Sequence, residues 1–322
     1  MPKISVIIPV YGTERYVEKC VRSGMEQTLK DNEILCIDDC SPDNSAKVIE
    51  RLAAEDDRIR LIRHERNLGL GGARNTGISE ARAPYLASVD SDDYVDTQML
   101  ERLWEATEDQ SVDIVSCGFA LVNEDGSLRY KISKPDQIYC NEDAQVNILD
   151  LLPSAFWNKL WRTSLFTDNN ITFPNHLYFE DLATTPRVLR FAKRIRSIPD
   201  SLYNYMIRED SITNSFGAKH IIDYFRVYDV LWAFLKDEGL TDRYQDLFVE
   251  KIGNELHYHT ETVIASDMSE ADQAQYIRHM LLLKIAYLEY NSRLQELDAQ
   301  SLRSLLLNAR SWEDVKTLTG PS

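Results

Sequence analysis

The sequence predicts an α/β fold: a mixed sheet flanked by helices, followed by an all-helical C-terminal region. Three observations carry this. Short β-branched runs alternate with helical spacing through about the first third of the chain. Each such run stops at a polar cluster. After Phe216 the pattern changes to long amphipathic helices.

The elements follow in order. Ile4-Ser5-Val6-Ile7-Ile8-Pro9-Val10 has the continuous apolar character of a strand buried on both faces. Helical spacing runs over 14–27, with Tyr16, Val17, Cys20 and Val21 near one face. Ile34-Leu35-Cys36-Ile37 is a second buried strand that stops at Asp38-Asp39, and Asp43 or Asn44 is placed to cap a helix running to about residue 54. Ile59-Arg60-Leu61-Ile62 is a third strand, followed by a Gly-rich turn and a helix to about residue 81. Tyr85-Leu86-Ala87-Ser88-Val89 is a fourth strand, again ending in acid. Strands alternating with helices imply parallel βαβ units with right-handed crossovers, whose ligands bind at the carboxyl ends of the strands. The stretch from about 112 to 208 is mixed: 112–122 reads as strand, and Asn123-Glu124-Asp125-Gly126 is a turn into another strand-like run. Beyond a boundary near 217, Ile221, Phe225, Tyr228, Leu231 and Leu235 keep helical spacing, as do Tyr276, Met280 and Leu283.

Composition narrows the function. The 322 residues carry 36 basic and 52 acidic side chains, a formal net charge of −16, which repels a phosphate backbone and argues against nucleic acid as a partner. It also argues against broad adhesion to an anionic membrane. No apolar run approaches the roughly 20 residues a membrane span requires. Five scattered cysteines, with no leader-like segment before the first strand, are expected to be reduced thiols of a cytoplasmic protein, peripheral attachment at the inner membrane face staying open.

The chemistry concentrates in the polar clusters. In extended backbone, residues two apart face the same side, so Asp90 and Asp92 of Asp90-Ser91-Asp92-Asp93 can converge on one point. Hard oxygen donors at that spacing suit Mg²⁺ or Mn²⁺, although a solvated turn capping the helix near Thr97 explains the tetrapeptide equally well. Asp38-Asp39 can accept the N3–H of a uracil-type base or form a turn with Ser41-Pro42-Asp43. The run Asn67-Leu68-Gly69-Leu70-Gly71-Gly72-Ala73-Arg74-Asn75 allows close backbone approach at a helix N-terminus, and Arg74 adds a forked cation for phosphate. Glu180-Asp181 has apolar flanks that can raise a carboxyl pKa as a general base requires, or it is an acid pair at a helix N-terminus.

Taken together, these motifs resemble the family 2 glycosyltransferases of the GT-A fold. The likeness covers roughly 3–215: Ile4 to Tyr11, Ile37 to Asp43, Asn67-Leu68-Gly69 with Ala73 to Gly77, Asp90 to Tyr94, Trp157-Asn158-Lys159-Leu160, Glu180-Asp181, and Tyr203-Asn204-Tyr205 with Arg208 and Ser211. Cys40 stands where a glycine is common. The resemblance implies a catalytic domain at 1–217, its nucleotide-sugar part at 1–110 and its acceptor part at 111–217, with a helical domain at 218–322. It implies a UDP-sugar donor and a glycan, lipid-linked oligosaccharide or glycoprotein acceptor, in cell-surface polysaccharide synthesis of bacterial type. Pro9, Tyr11 and Asp39 are then expected at the nucleobase, Asn67 and Arg74 at the ribose or diphosphate, and Ser91 among the donor contacts. Asp90 and Asp92 form the D-x-D element on the ribose and a Mn²⁺ or Mg²⁺ ion, with Asp93 sharing the metal. Asp181 is the expected base and Glu180 steers the donor sugar or acceptor. Trp157, Asn158 and Lys159 line the acceptor side, and Arg208 and Ser211 close over the diphosphate.

Two other classes compete. A sugar nucleotidyltransferase usually has a basic Gly-rich loop after the first strand, where this chain has Tyr11-Gly12-Thr13-Glu14-Arg15. A non-catalytic scaffold would have lost Asp181 or the D-x-D acids, and both are present. His257 and His259 are poor metal ligands, because residues two apart on a helix point apart. The C-terminal helices are expected to pack on the catalytic domain or to form a homodimer.

Overall fold

Two strands buried along their whole length set the frame: β1 (Ile4–Val10) and β2 (Asn32–Asp38). They pair in parallel, Ile4 opposite Asn32 through Val10 opposite Asp38. The structure is a computed structural model, and it describes residues 1–140, 154–208 and 218–251, save 245 and 249. The chain divides into two units, Met1–Phe216 and Gly217–Ser322.

In the first unit β1 and β2 are followed in chain order by β3 (Ile59–Arg63), β4 (Tyr85–Ser88), β5 (Tyr94–Val95), β6 (Ile114–Asn123), β7 (Leu128–Ile132), β8 (Gln137–Cys140), β9 (Lys159–Arg162) and β10 (Arg194–Ile207). The helices are α1 (Val17–Met25), α2 (Ser45–Ala53), α3 (Gly69–Glu80), α4 (Met99–Glu105), α5 (Ser164–Thr167) and α6 (Glu180–Leu189). One sheet takes the order β3-β2-β1-β4-β9-β6-β10-β5, with β7 on β6 and β8 on β10. Strands β3, β2, β1 and β4 are mutually parallel, while β9 runs antiparallel to both β4 and β6. This is the expected mixed sheet with helices, and its parallel half presents the carboxyl ends of β1, β2 and β4 along one edge.

Local chemistry explains the boundaries. Helix α1 begins at Val17 rather than near residue 14 because Thr13 O accepts the N–H groups of both Tyr16 and Val17, forming a turn first. Helix α2 is capped by Asp43, whose Oδ1 accepts Ser45 N–H at 3.0 Å, while Asn44 makes no side-chain cap. Cys40 has φ 61°, the left-handed conformation in which glycine is strain-free. Helix α3 uses its glycines for packing. A Cβ on Gly71 would lie 2.3 Å from Pro174 O, and one on Gly77 2.4 Å from the Ile7 side chain in β1. Those glycines let α3 lie close to the sheet and to the 173–175 segment.

In the second unit, α7 (Ala218–Asp237) buries Val227, Tyr228, Leu231 and Leu235, and Phe248 packs edge-on to Tyr228 with ring centroids 5.4 Å apart. The Ile221 and Phe225 side chains, His257, His259, Tyr276, Met280 and Leu283 lie outside what is described. No helix among the described residues is long and apolar enough to cross a membrane.

Substituting Gly71→Ala tests the packing. The clash is with a backbone carbonyl, so overpacking outweighs the roughly 1 kcal/mol that alanine gains over glycine in a helix. Stability is expected to fall by about 1–3 kcal/mol, read as a lower urea midpoint.

Candidate active site

The edge formed by the carboxyl ends of β1, β2 and β4 gathers most of the sequence-predicted residues. At the end of β1, Pro9 is buried in the strand and the Tyr11 ring is 55% exposed at the rim. Gly12 donates its N–H to Ser41 Oγ at 3.3 Å and Thr13 donates its N–H to Ser45 Oγ at 3.1 Å, which ties the β1 loop to the β2 loop.

At the end of β2 the two acids divide. Asp38 Oδ1 accepts Ser41 N–H at 3.2 Å, closing the turn. Asp39 reaches across to the entry of α3. Its Oδ1 accepts Leu68 N–H and its Oδ2 accepts Gly69 N–H, both at 2.8 Å, and Asn67 Nδ2 donates to the Asp39 carbonyl at 3.0 Å. The anion at this helix N-terminus is therefore Asp39 itself, which occupies the Leu68 and Gly69 amides. His64, which the sequence reading missed, stands 2.6 Å from Asp39 Oδ1. A histidine just past a third strand and three residues before the Gly-rich run was the available signal.

Strand β4 ends at Ser88, and the acids after it lie in a tight turn rather than in the extended backbone expected, Asp93 N–H donating to Asp90 O at 2.9 Å. Asp90 and Asp92 keep partly exposed side chains, each at 22%. Asp93 is buried and turned inward. Its Oδ2 accepts the Tyr203 hydroxyl and its Oδ1 accepts Met206 N–H, both at 2.7 Å, so Asp93 holds β10 and does not face the crevice as a metal ligand. Tyr203 Oη also accepts Asp90 N–H at 3.1 Å, and Ser91 accepts the Thr13 hydroxyl at 3.0 Å. Ser91 is buried by that bond and acts on the loop. Arg208 pairs with Asp92 and its guanidinium lies over the Tyr16 ring. Burial, then the neighbouring Asp90, raises the Asp92 pKa, with Arg208 pulling against them. Ser211 lies outside the described residues.

Arg74 connects the two sides. It is buried, donating to Asp90 Oδ1 at 2.8 Å and to Glu180 Oε1, and it packs against the edge-on pair Phe156 and Phe173, 5.4 and 5.5 Å from their ring centroids. Burial works against its charge, but Asp90 and Glu180 reverse the balance and raise its pKa. The sequence reading placed Arg74 at the ribose or diphosphate; the structure places it beneath the acids. Glu180 and Asp181 open α6 directly after Phe179, a non-glycine residue at φ 60°, ψ 30°. Such strained backbone persists where surrounding contacts over-determine it. Burial pushes the Glu180 carboxyl up to about 7 against the pull of Arg74. Burial likewise raises Asp181, which stays partly exposed.

The expected acceptor side is corrected in part. Trp157 stacks on Tyr203 with centroids 4.4 Å apart and remains partly exposed. Asn158 and Lys159 are buried inside the sheet: Asn158 Nδ2 donates to Cys117 O at 2.8 Å, and Lys159 Nζ donates to Asn158 Oδ1 at 2.8 Å and to Ala155 O. They build the turn that carries Trp157 and line no open wall.

Among the described residues no three His, Cys, Asp or Glu side chains gather as a metal cluster. A hard cation that keeps positions for substrate phosphates needs only one or two carboxylates, and Asp90 and Asp92 fit that donor set by chemistry and exposure.

The glycosyl transferase family 2 profile matches residues 5–175. A Bacillus subtilis protein described as "Uncharacterized glycosyltransferase EpsJ" is 32% identical, over 87% of this chain and 84% of its own length. The Streptococcus pneumoniae protein "Glycosyltransferase GlyG" is 30% identical, over 80% of this chain and 89% of its own. The Staphylococcus aureus TarS 1–349 structure in complex with UDP-GlcNAc superposes with a TM-score of 0.59 at 23% identity, over 97% of this chain and 82% of that one, so the fold is the GT-A fold.

The Glu180 environment has a pH signature. Its pKa rises from an ordinary 4.5 to about 7 on folding, so the native chain holds that proton more tightly than the unfolded chain. Its contribution to stability is full below pH 4.5 and is lost as pH rises toward about 7. Glu180→Gln removes this titration, and urea midpoints across that window should decline less steeply in the variant than in the wild type.

Proposed function

The chain belongs to glycosyl transferase family 2 and is a glycosyltransferase, and from that premise we propose that it moves a sugar from a UDP-sugar to an acceptor hydroxyl with inversion, in cell-surface polysaccharide or glycoconjugate synthesis. One observation carries the reading. Through Arg74, the crevice acid Asp90 and the raised carboxyl pair Glu180-Asp181 stand within one guanidinium of each other. An acid suited to hold a divalent cation, and through it a donor diphosphate, thus stands near a carboxylate suited to take a proton. The UDP and UDP-GlcNAc bound in the TarS structures support the donor class.

Each residue then has a task. Tyr11, exposed at the rim, offers a face to the base, and Asp39 offers its remaining acceptor position to a ring N–H. Asp90 and Asp92 would hold a Mn²⁺ or Mg²⁺ ion, which when bound supplies positive charge to the departing diphosphate. Arg208, paired with Asp92, is placed to turn its guanidinium to the diphosphate. Asp181 accepts the proton of the acceptor hydroxyl as its oxygen attacks the sugar C1 from the face opposite the nucleotide. Its raised pKa strengthens it as a base. Glu180, held by Arg74, keeps the second carboxylate fixed beside it. Trp157 offers its partly exposed ring to the apolar face of an acceptor sugar.

A panel of nucleotide sugars screened for Mn²⁺-dependent binding and turnover, followed by acceptors with the best donor, tests the whole. Turnover of none of them defeats the reading. Asp181→Asn should lose about 10²–10⁴-fold in transfer while keeping UDP affinity. Wild-type transfer by that variant rules Asp181 out as the base. Asp92→Ala should abolish the difference between UDP titrations with and without Mn²⁺, and a persisting difference places the ion elsewhere.

A further inference from the structure

Asp39 is 3% exposed at the end of β2. An ionised carboxylate only accepts hydrogen bonds, at about four lone-pair positions. Three are filled from within the chain: Oδ1 by Leu68 N–H and by His64 Nδ1 at 2.6 Å, and Oδ2 by Gly69 N–H. One position, on Oδ2, is left. Because the ionised carboxylate cannot donate, His64 Nδ1 carries the proton. The imidazole is gripped on its far side as well, with Nε2 2.8 Å from Thr76 Oγ1, and that hydroxyl also reaches Gly72 O at 3.2 Å inside α3. The His64 side chain is only 8% exposed. The carboxylate is thus fixed from two directions, by the amides at the start of α3 and by an imidazole that the same helix anchors about two turns further on.

We propose that His64 is a positioning residue for nucleobase selection, holding Asp39 so that a single acceptor position meets the donor's base. The inference rests on the reading that Asp39 meets the base. A base with a ring N–H at that place, as in uracil, satisfies the position. A base with a ring acceptor there, as in cytosine, sets a lone pair against a carboxylate. Without His64, Oδ1 loses a charge-assisted bond and the carboxylate can turn, so UDP loses more than CDP.

The test is calorimetric titration of UDP and of CDP, in Mn²⁺ buffer, into the wild type, Asp39→Asn, His64→Gln and His64→Asn. Glutamine keeps the reach to Thr76 and loses the donor to Asp39, whereas asparagine keeps a donor where Nδ1 stands. The preference for UDP over CDP is expected to fall about tenfold in His64→Gln, through weaker UDP binding, and to return in His64→Asn. Equal weakening of both nucleotides, or an unchanged preference in His64→Gln, overturns the role of His64. An unchanged preference in Asp39→Asn overturns the reading of Asp39, and the inference with it. If His64→Gln does not fold, Thr76→Val keeps His64 and removes the far grip on its imidazole, together with the hydroxyl's bond to Gly72 O. The preference should then fall in the same direction, and an unchanged one refutes the proposal.

Discussion

One buried guanidinium organises the catalytic edge. Arg74 leaves α3, packs against two aromatic rings, and joins an acid that follows β4 to an acid that opens α6. These elements are distant in sequence, and no backbone ladder links Asp90 to Glu180. Burying such an ion group is costly, and buried salt bridges are weak evidence for net stability. What Arg74 contributes is position. Removing it would leave Glu180 buried without its countercharge and would free the start of α6 from the β4 turn.

The same pairing recasts the acidity of the chain. Its surplus of acid includes a crevice where Asp90, Asp92, Glu180 and Asp181 face Arg74 and Arg208. When all are ionised, two negative charges remain. A divalent cation matches that excess, and a diphosphate arriving without one meets it as repulsion. Arg208 lies on Asp92, so a cation held there as proposed would compete with this arginine for the carboxylate. Such competition would give Arg208 a reason to turn toward the diphosphate.

The sequence disclosed much of the parallel half and little of the rest. Strands β1 to β4 were legible because each is a local apolar run closed by a polar cluster. The sequence grouped Asp93 with Asp90 and Asp92, and only the partners Tyr203 and Met206 reveal what Asp93 does. The glycine-like position of Cys40 surfaced as a departure from the family pattern and is explained by its φ of 61°. Other features were not local. Strand β10 pairs in parallel with β6 across some eighty residues, with register shifts between Ser197 and Tyr203. The contact of His64 with Asp39 spans 25 positions. Asn158 and Lys159 read as polar residues at a site, but their bonds to Cys117 O and Ala155 O put them inside the sheet, where a buried polar group is kept only with partners.

Those long-range contacts join the elements proposed for the two substrates. Trp157 stacks on Tyr203, and the Tyr203 hydroxyl donates to Asp93 while accepting the Asp90 amide. The segment that carries Trp157 is fastened to α6, because Thr185 Oγ1 donates to Ser154 O at 2.6 Å. The aromatic wall proposed for the acceptor, the helix that carries the base and the turn that carries the donor acids therefore share one packed unit. Packed interiors shift between discrete arrangements and do not deform smoothly. A displacement of Trp157 thus reaches Asp90 through Tyr203 and reaches Asp181 through α6. One tyrosine hydroxyl and one threonine hydroxyl thus join the side proposed for the acceptor to the side proposed for the donor.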